Sequence, residues 1–198
     1  MKKILVTGFE AFHGQSINPS QKIIENLVPN ENLKTILLPV HFERAFKLLK
    51  NTFMAEQNVD ALLMLGQALS RDSVQLERVA LNWVKTNPMD QNSNLIQSGR
   101  IDLTGPDAYL NPWIEDEWLS ELNQWGPTQI SLSAGDYVCN YIYYQSIHQL
   151  TQNKIPTLFV HLPGMPEQFN STQTSLGKPM SFEKQLAIVQ KIVQKIIT

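Results

Sequence analysis

The sequence predicts an α/β fold on a mostly parallel sheet, and two observations carry the prediction. Apolar runs of strand length recur, wholly apolar at residues 61–66 and nearly so at 157–162, and segments of helical periodicity separate them. Strands apolar at every position are buried on both faces, and helices between them supply the crossovers that parallel neighbours require. Residues 3–9 read as the first strand, 20–27 as a helix and 33–40 as a strand. Residues 42–57 read as a helix because Phe42, Ala45, Phe46, Leu49 and Phe53 recur at spacings of three and four. A strand at 61–66 follows, then a looser alternation over 74–82 that reads as another. Residues 85–112 are polar and rich in Asn, Gly and Pro, a long excursion of the kind that forms binding loops. Beyond it the pattern gives a helix at 114–125 stopped by Gly126-Pro127, a strand at 129–133, a helix at 138–150 and a strand at 157–162. A helix at 181–197 closes the chain, with Phe182, Leu186, Val189, Val193 and Ile196 as its apolar stripe and Ser181 able to cap it. No repeat or linker interrupts the 198 residues, which read as a single domain, 1–198.

Composition narrows the function classes. With 42% hydrophobic and 17% charged residues the chain is globular. Sixteen basic against eighteen acidic residues, without a basic cluster, argue against nucleic acid and anionic membrane surfaces as partners. The apolar runs are too short to span a bilayer. The stretch from Met1 to Val6 ends at Thr7-Gly8, too soon for a secretion signal. Cys139 is the single cysteine, so no internal disulfide forms and a multi-cysteine metal site is excluded; a reducing cytoplasm is the expected location.

Cys139 stands where a strand gives way to a helix. A thiol in the first helical turn meets the positive end of the helix dipole and unpaired backbone N–H groups, which stabilise the thiolate. The same groups can hold a developing oxyanion. A lone cysteine is also commonly a small buried hydrophobe. A sulfur nucleophile needs a base, and His161 lies at the carboxyl end of an apolar strand, the edge where parallel sheets place their sites. His148 falls within the Cys139 helix and cannot easily face the same cleft, whereas His13 and His41 also follow strands. Glu77 can orient the imidazole: adjacent strand residues point to opposite faces, so Glu77 or Arg78 turns inward and needs a partner. Glu10 and Asp136 are rivals for that role. The loop from Gly8 to Gly14 lacks the G-x-G-x-x-G pattern of nucleotide sites. Phe9 and Phe12 there suit a flat, uncharged ligand, or ordinary core packing. No metal-ligand spacing is present.

Several segments carry a resemblance to a known family: Thr7-Gly8-Phe9-Glu10-Ala11-Phe12, Asn18-Pro19-Ser20, Gly66-Gln67-Ala68 and Glu77-Arg78-Val79-Ala80-Leu81-Asn82. Ala134-Gly135-Asp136-Tyr137-Val138-Cys139-Asn140 and Phe159-Val160-His161-Leu162-Pro163 with Pro166-Glu167-Gln168 complete the set. In this order and spacing the chain resembles pyroglutamyl peptidase I, a family of cytosolic cysteine peptidases. The resemblance implies a three-layer α/β/α sandwich of the phosphorylase/hydrolase-like class, no metal or organic cofactor, and pyroglutamyl peptides as substrates. It implies a catalytic triad of Cys139, His161 and Glu77. It further places Phe9, Phe12, Tyr137 and Val138 in a pocket for the substrate ring, with Asn18 and Gln67 giving polar contacts or holding loops. A homo-oligomer is allowed, as relatives form homotetramers.

Departures from the family pattern are Ala11 in place of Pro, Leu69-Ser70 in place of Gly-Gly, and the stretch after Asn82. There Asn87 stands where the family has an arginine near the reacting carbonyl, a change that could weaken oxyanion stabilisation. Lys85 and Arg71 are candidates to replace that charge. The remodelled loop leaves a second reading open, a catalytically weakened or non-catalytic binding protein on the same scaffold.

Overall fold

The computed structural model describes residues 2–12, 14–56, 58–85, 98–169 and 177–197. Its elements run β1 (Ile4–Phe9), α1 (Pro19–Asn26), β2 (Leu33–Leu38), α2 (Phe42–Ala55), β3 (Ala61–Gln67), β4 (Val74–Glu77) and β5 (Val79–Leu81). They continue with β6 (Ala108–Leu110), α3 (Glu117–Leu122), β7 (Thr128–Ser131), α4 (Val138–Gln145), β8 (Thr157–Leu162) and α5 (Phe182–Ile197). The main sheet has the order β2-β1-β3-β8-β4-β7. The first four of these strands are mutually parallel, while β4 and β7 run the other way.

The apolar runs became strands because both faces are covered. Ile4, Val6, Leu63, Leu65, Leu158 and Val160 pack under α1, α3 and α5. Their alternates Leu5, Leu62, Met64 and Phe159 pack under α2 and α4. Side chains two apart on a strand share a face, so His161 follows Phe159 toward α4. Three layers, helix on sheet on helix, result as expected.

Four elements depart from the sequence reading. Residues 74–82 form two strands, because β5 leaves the main sheet after Arg78 and pairs with β6 instead. The Arg78 guanidinium donates to Ile114 O at 3.1 Å and to Asp116 Oδ1 at 2.6 Å. It thereby engages Asp116, the N-cap residue of α3, whose side chain makes no cap hydrogen bond, and α3 spans only Glu117–Leu122. Residues after α4 continue as a π-helical turn, Ser146–Thr151. The buried face of α5 is centred on Gln185, Ile188 and Ile192 rather than on Phe182 and Leu186, which are only partly buried. A buried glutamine is invisible to an apolar-stripe argument; its Nε2 donates to Met180 O at 2.8 Å and Pro163 O at 3.2 Å.

Candidate active site

The chain leaves β7 at Ser131 and turns at Gly135, whose φ of +82° favours glycine. It then enters α4 at Val138, with Tyr137 as an N-cap that supplies no side-chain hydrogen bond. First-turn N–H groups of a helix lack intrahelical acceptors, and Cys139 is the second residue of that turn. Its sulfur is seated against Gly66 of β3. A Cβ at position 66 would lie 2.9 Å from Cys139 Sγ and 2.9 Å from the Phe159 ring.

β3 pairs Gly66 with His161 of β8, which brings the imidazole to the same place. Gln75 of β4 lies opposite His161 on the other side, so Glu77 sits two positions further along β4 on the same face. There His161 Nδ1 meets Glu77 Oε1 at 2.8 Å, with the carboxylate fully buried. Burial alone pulls the His161 imidazole down. The charge of Cys139, a hydrogen bond with its sulfur, and the hydrogen bond and charge of Glu77 outweigh this and push it up to about 9. The proton therefore resides on the imidazole, which stands between the Cys139 sulfur and the Glu77 carboxylate.

Cys139 and His161 open into a pocket of about 140 Å³, also lined by Phe9, Phe12, Asn18, Gln67, Tyr137 and Val138. That is small against the ~300 Å³ or more of sites for larger ligands. The structure thus brings together every residue expected at the substrate ring, and adds Val40, which stands in no quoted motif, and Ala134, which opens the motif that carries Cys139. The two polar members are not equally available. Asn18 donates to Glu10 O at 3.0 Å and accepts from Ser20 N at 2.9 Å and Ser20 Oγ at 2.8 Å, so it caps α1 and holds the Phe12 loop. Gln67 presents Oε1 to Gln168 Nε2 at 3.1 Å. Gln168 in turn donates to Ile17 O and accepts from Met165 N, which locks the Gln67 amide from behind.

The other candidates lie elsewhere. His148 contacts Tyr109 and Asp102 on the far part of α4's extension. His41 caps α2 by accepting from Arg44 N. Glu10 and Asp136 are exposed, as are Arg71 and Lys85, and none of the four lines the pocket. His13 and Asn87 lie outside the described residues. Two asparagines organise the segment after β5: Asn140 exchanges hydrogen bonds with Leu81 N and O and Trp83 O, and Asn82 gathers Ile101 N, Asp102 N and Asp102 O. Among the described residues, no group of three or more His, Cys, Asp and Glu could hold a metal ion.

A sulfur and an imidazole at the wall of a small apolar pocket, with a buried carboxylate behind the imidazole, are equipped for acyl transfer, the work of cysteine hydrolases. Known proteins narrow that class to one family: the family model described as pyroglutamyl peptidase matches residues 2–198, and the chain belongs to the pyroglutamyl peptidase family. The pyrrolidone-carboxylate peptidase of Pyrococcus furiosus is 31% identical over 204 residues, covering 97% of this chain and 96% of that protein. That of Vibrio vulnificus is 35% identical over 183 residues, covering 89% and 86%. Among solved structures, pyrrolidone carboxyl peptidase from Fervidobacterium islandicum AW-1 superposes with a TM-score of 0.87 at 32% identity, covering 100% of this chain and 99% of that one. The enzyme from Thermococcus litoralis gives 0.88 at 27% identity, covering 100% and 94%.

Proposed function

We infer that this protein is a cysteine exopeptidase that removes N-terminal pyroglutamate from peptides, with Cys139 as nucleophile, His161 as acid and base, and Glu77 as the group that orients His161. The single observation that carries the assignment is the convergence of Cys139, His161 and Glu77, with the 2.8 Å His161–Glu77 contact, at a pocket sized for one small ring. The Cys139 sulfur attacks the carbonyl carbon joining pyroglutamate to the next residue. First-turn N–H groups of α4 receive the oxyanion. The C–N bond breaks as His161 gives its proton to the leaving amine, and a thioester remains. Water, deprotonated by His161, then attacks the thioester and releases pyroglutamate and the sulfur.

The lactam fits the pocket chemically. Its apolar ring carbons meet Phe9, Phe12, Tyr137 and Val138, and its amide meets the Gln67 side chain. A site that hydrogen-bonds the lactam rejects a prolyl ring by ~10⁴ or more, because buried polar groups would be left unpaired. We extend the reading to a single domain over residues 1–198 that works in the cytoplasm; the single cysteine supports a reducing compartment. Among the described residues no helix is long and apolar enough to cross a membrane. Assembly as a homo-oligomer is read by sedimentation.

Hydrolysis of a pyroglutamyl-aminocoumarin under reducing conditions tests the function, with a prolyl analogue beside it. Turnover of the first and not the second is expected. Folded, reduced protein inert on both would favour the non-catalytic alternative.

A further inference from the structure

Helix α4 carries a second polar group on the same face as its cysteine. Tyr143 lies four positions after Cys139, so the two side chains leave the helix on one face, about a turn apart. The Tyr143 ring is fully buried, and its hydroxyl donates to the main-chain oxygen of Glu77 at 2.8 Å. Pairing of β4 with β8 covers Gln75 and Leu76 and stops before Glu77, so the phenol takes hold of the main chain where that ladder has ended. Asn111 completes the arrangement. Its Nδ2 donates to the Tyr143 oxygen at 2.6 Å and to Thr157 O at 2.7 Å, and its Oδ1 accepts from Trp113 N at 2.8 Å. With Asn111 donating to it, the hydroxyl directs its own proton to Glu77.

The Glu77 side chain makes this anchor consequential. Its Oε2 is buried and has no hydrogen-bond partner, so Oε1–His161 is its one side-chain contact of that kind among the described residues. Where the carboxylate points is therefore decided by where its main chain is held.

We propose that Tyr143 is a positioning residue for the reaction: from the helix that carries Cys139, it fixes the Glu77 main chain and so sets the carboxylate–imidazole pair in register with the sulfur. The proposal rests on the reading of Cys139, His161 and Glu77 as the catalytic triad. A phenylalanine would fill the same space, so the hydroxyl is the part at issue.

Tyr143→Phe is compared with wild type for kcat, KM and the pH profile of turnover, and for the pH profile of Cys139 alkylation by iodoacetamide. The expected result is a kcat about tenfold lower with KM within twofold, the effect of loosened geometry on a bound substrate. The alkaline limb of turnover should move to lower pH, because Glu77 helps hold the proton on His161. The rise of alkylation with pH should move to higher pH, because a less firmly held imidazolium stabilises the thiolate less. Wild-type kcat with a wild-type profile would overturn the proposal. So would a lower kcat with both profiles unmoved, which is what mere loss of packing gives. If wild type itself lacks turnover, the peptidase reading fails, and the alkylation profile still decides the role of Tyr143. Should Tyr143→Phe not fold, Asn111→Ala removes the donor that orients the phenol and is held to the same outcomes.

Discussion

His161 and Glu77 meet at 2.8 Å across two strands that run in opposite directions. In an all-parallel sheet the neighbour of β8 would begin its next connection at this edge. Here β4 instead arrives at His161 early and ends deeper, so a carboxylate on it is delivered beneath the imidazole and out of water. The buried carboxylate adds a hydrogen bond and its charge to the larger influence of Cys139, and together they hold the proton on the imidazole.

The alkaline side of the pH profile is set by His161, held first by Cys139 and then by Glu77. His161 is held at about 9, above its ordinary 6.5. Activity that needs the protonated imidazole should therefore decline as pH rises through about 9. The sign for stability is the same: the contribution of the charged imidazole is fully present below about 6.5 and is lost as pH rises through the folded value. Glu77→Gln removes one of the groups that hold the proton, so its alkaline limb should lie lower, with kcat reduced by about 10². A kcat/KM profile from pH 6 to 10 on both proteins is the check; identical limbs would remove Glu77 from its role.

Removing either reacting group should abolish turnover without unfolding the chain. Cys139→Ala and His161→Ala are each expected to lower kcat by ~10³ or more, an order-of-magnitude figure for members of a catalytic unit. Circular dichroism on the same samples should be that of wild type. Appreciable residual activity in Cys139→Ala points to a different nucleophile.

The contact between Gly66 and Cys139 predicts a graded defect. An added Cβ would meet the sulfur and the Phe159 ring, each at 2.9 Å. Gly66→Ala should cost about 1–3 kcal/mol of stability through overpacking. It should also slow alkylation of Cys139 and lower kcat, since the sulfur must shift. Thermal melts and iodoacetamide kinetics read the two effects separately.

Asn18 and Gln67 both line the pocket, yet they should fail differently. The Asn18 side chain is consumed in capping α1, so Asn18→Ala should lower stability by about 0.5–2 kcal/mol. Gln67 is held by Gln168. Gln168→Ala should raise KM for the pyroglutamyl substrate several-fold, about the worth of one hydrogen bond, with kcat nearly unchanged. Denaturant titration and Michaelis kinetics on the two variants distinguish these outcomes.

Much of the fold and site is legible in the sequence because it depends on periodicity. Runs with apolar residues on both faces mark β1, β3 and β8, and strand alternation puts His161 on a definite face. The position of Cys139 just inside a helix is likewise visible from the strand-to-helix change around residues 133–138. The features that escape depend on satisfying polar groups. The turn-out at Arg78, the short α3 and the inward face of α5 at Gln185 are each set by a hydrogen bond or ion pair to a residue distant in sequence. No periodic pattern records such a pairing. Tyr143, Asn111 and Gln168 escape as supports for the same reason, although Gln168 stands within a motif and Asn140 directly follows the cysteine.

The solitary state of Cys139 has a chemical consequence of its own. Peroxide converts an active thiolate to a sulfenic acid, which a neighbouring cysteine ordinarily rescues by closing a disulfide. This chain has no such neighbour. Repair of that first oxidation must come from a small thiol entering from solution, and when none arrives the sulfur proceeds to the irreversible sulfinic and sulfonic acids. The working lifetime of the enzyme is thus tied to the thiol pool around it.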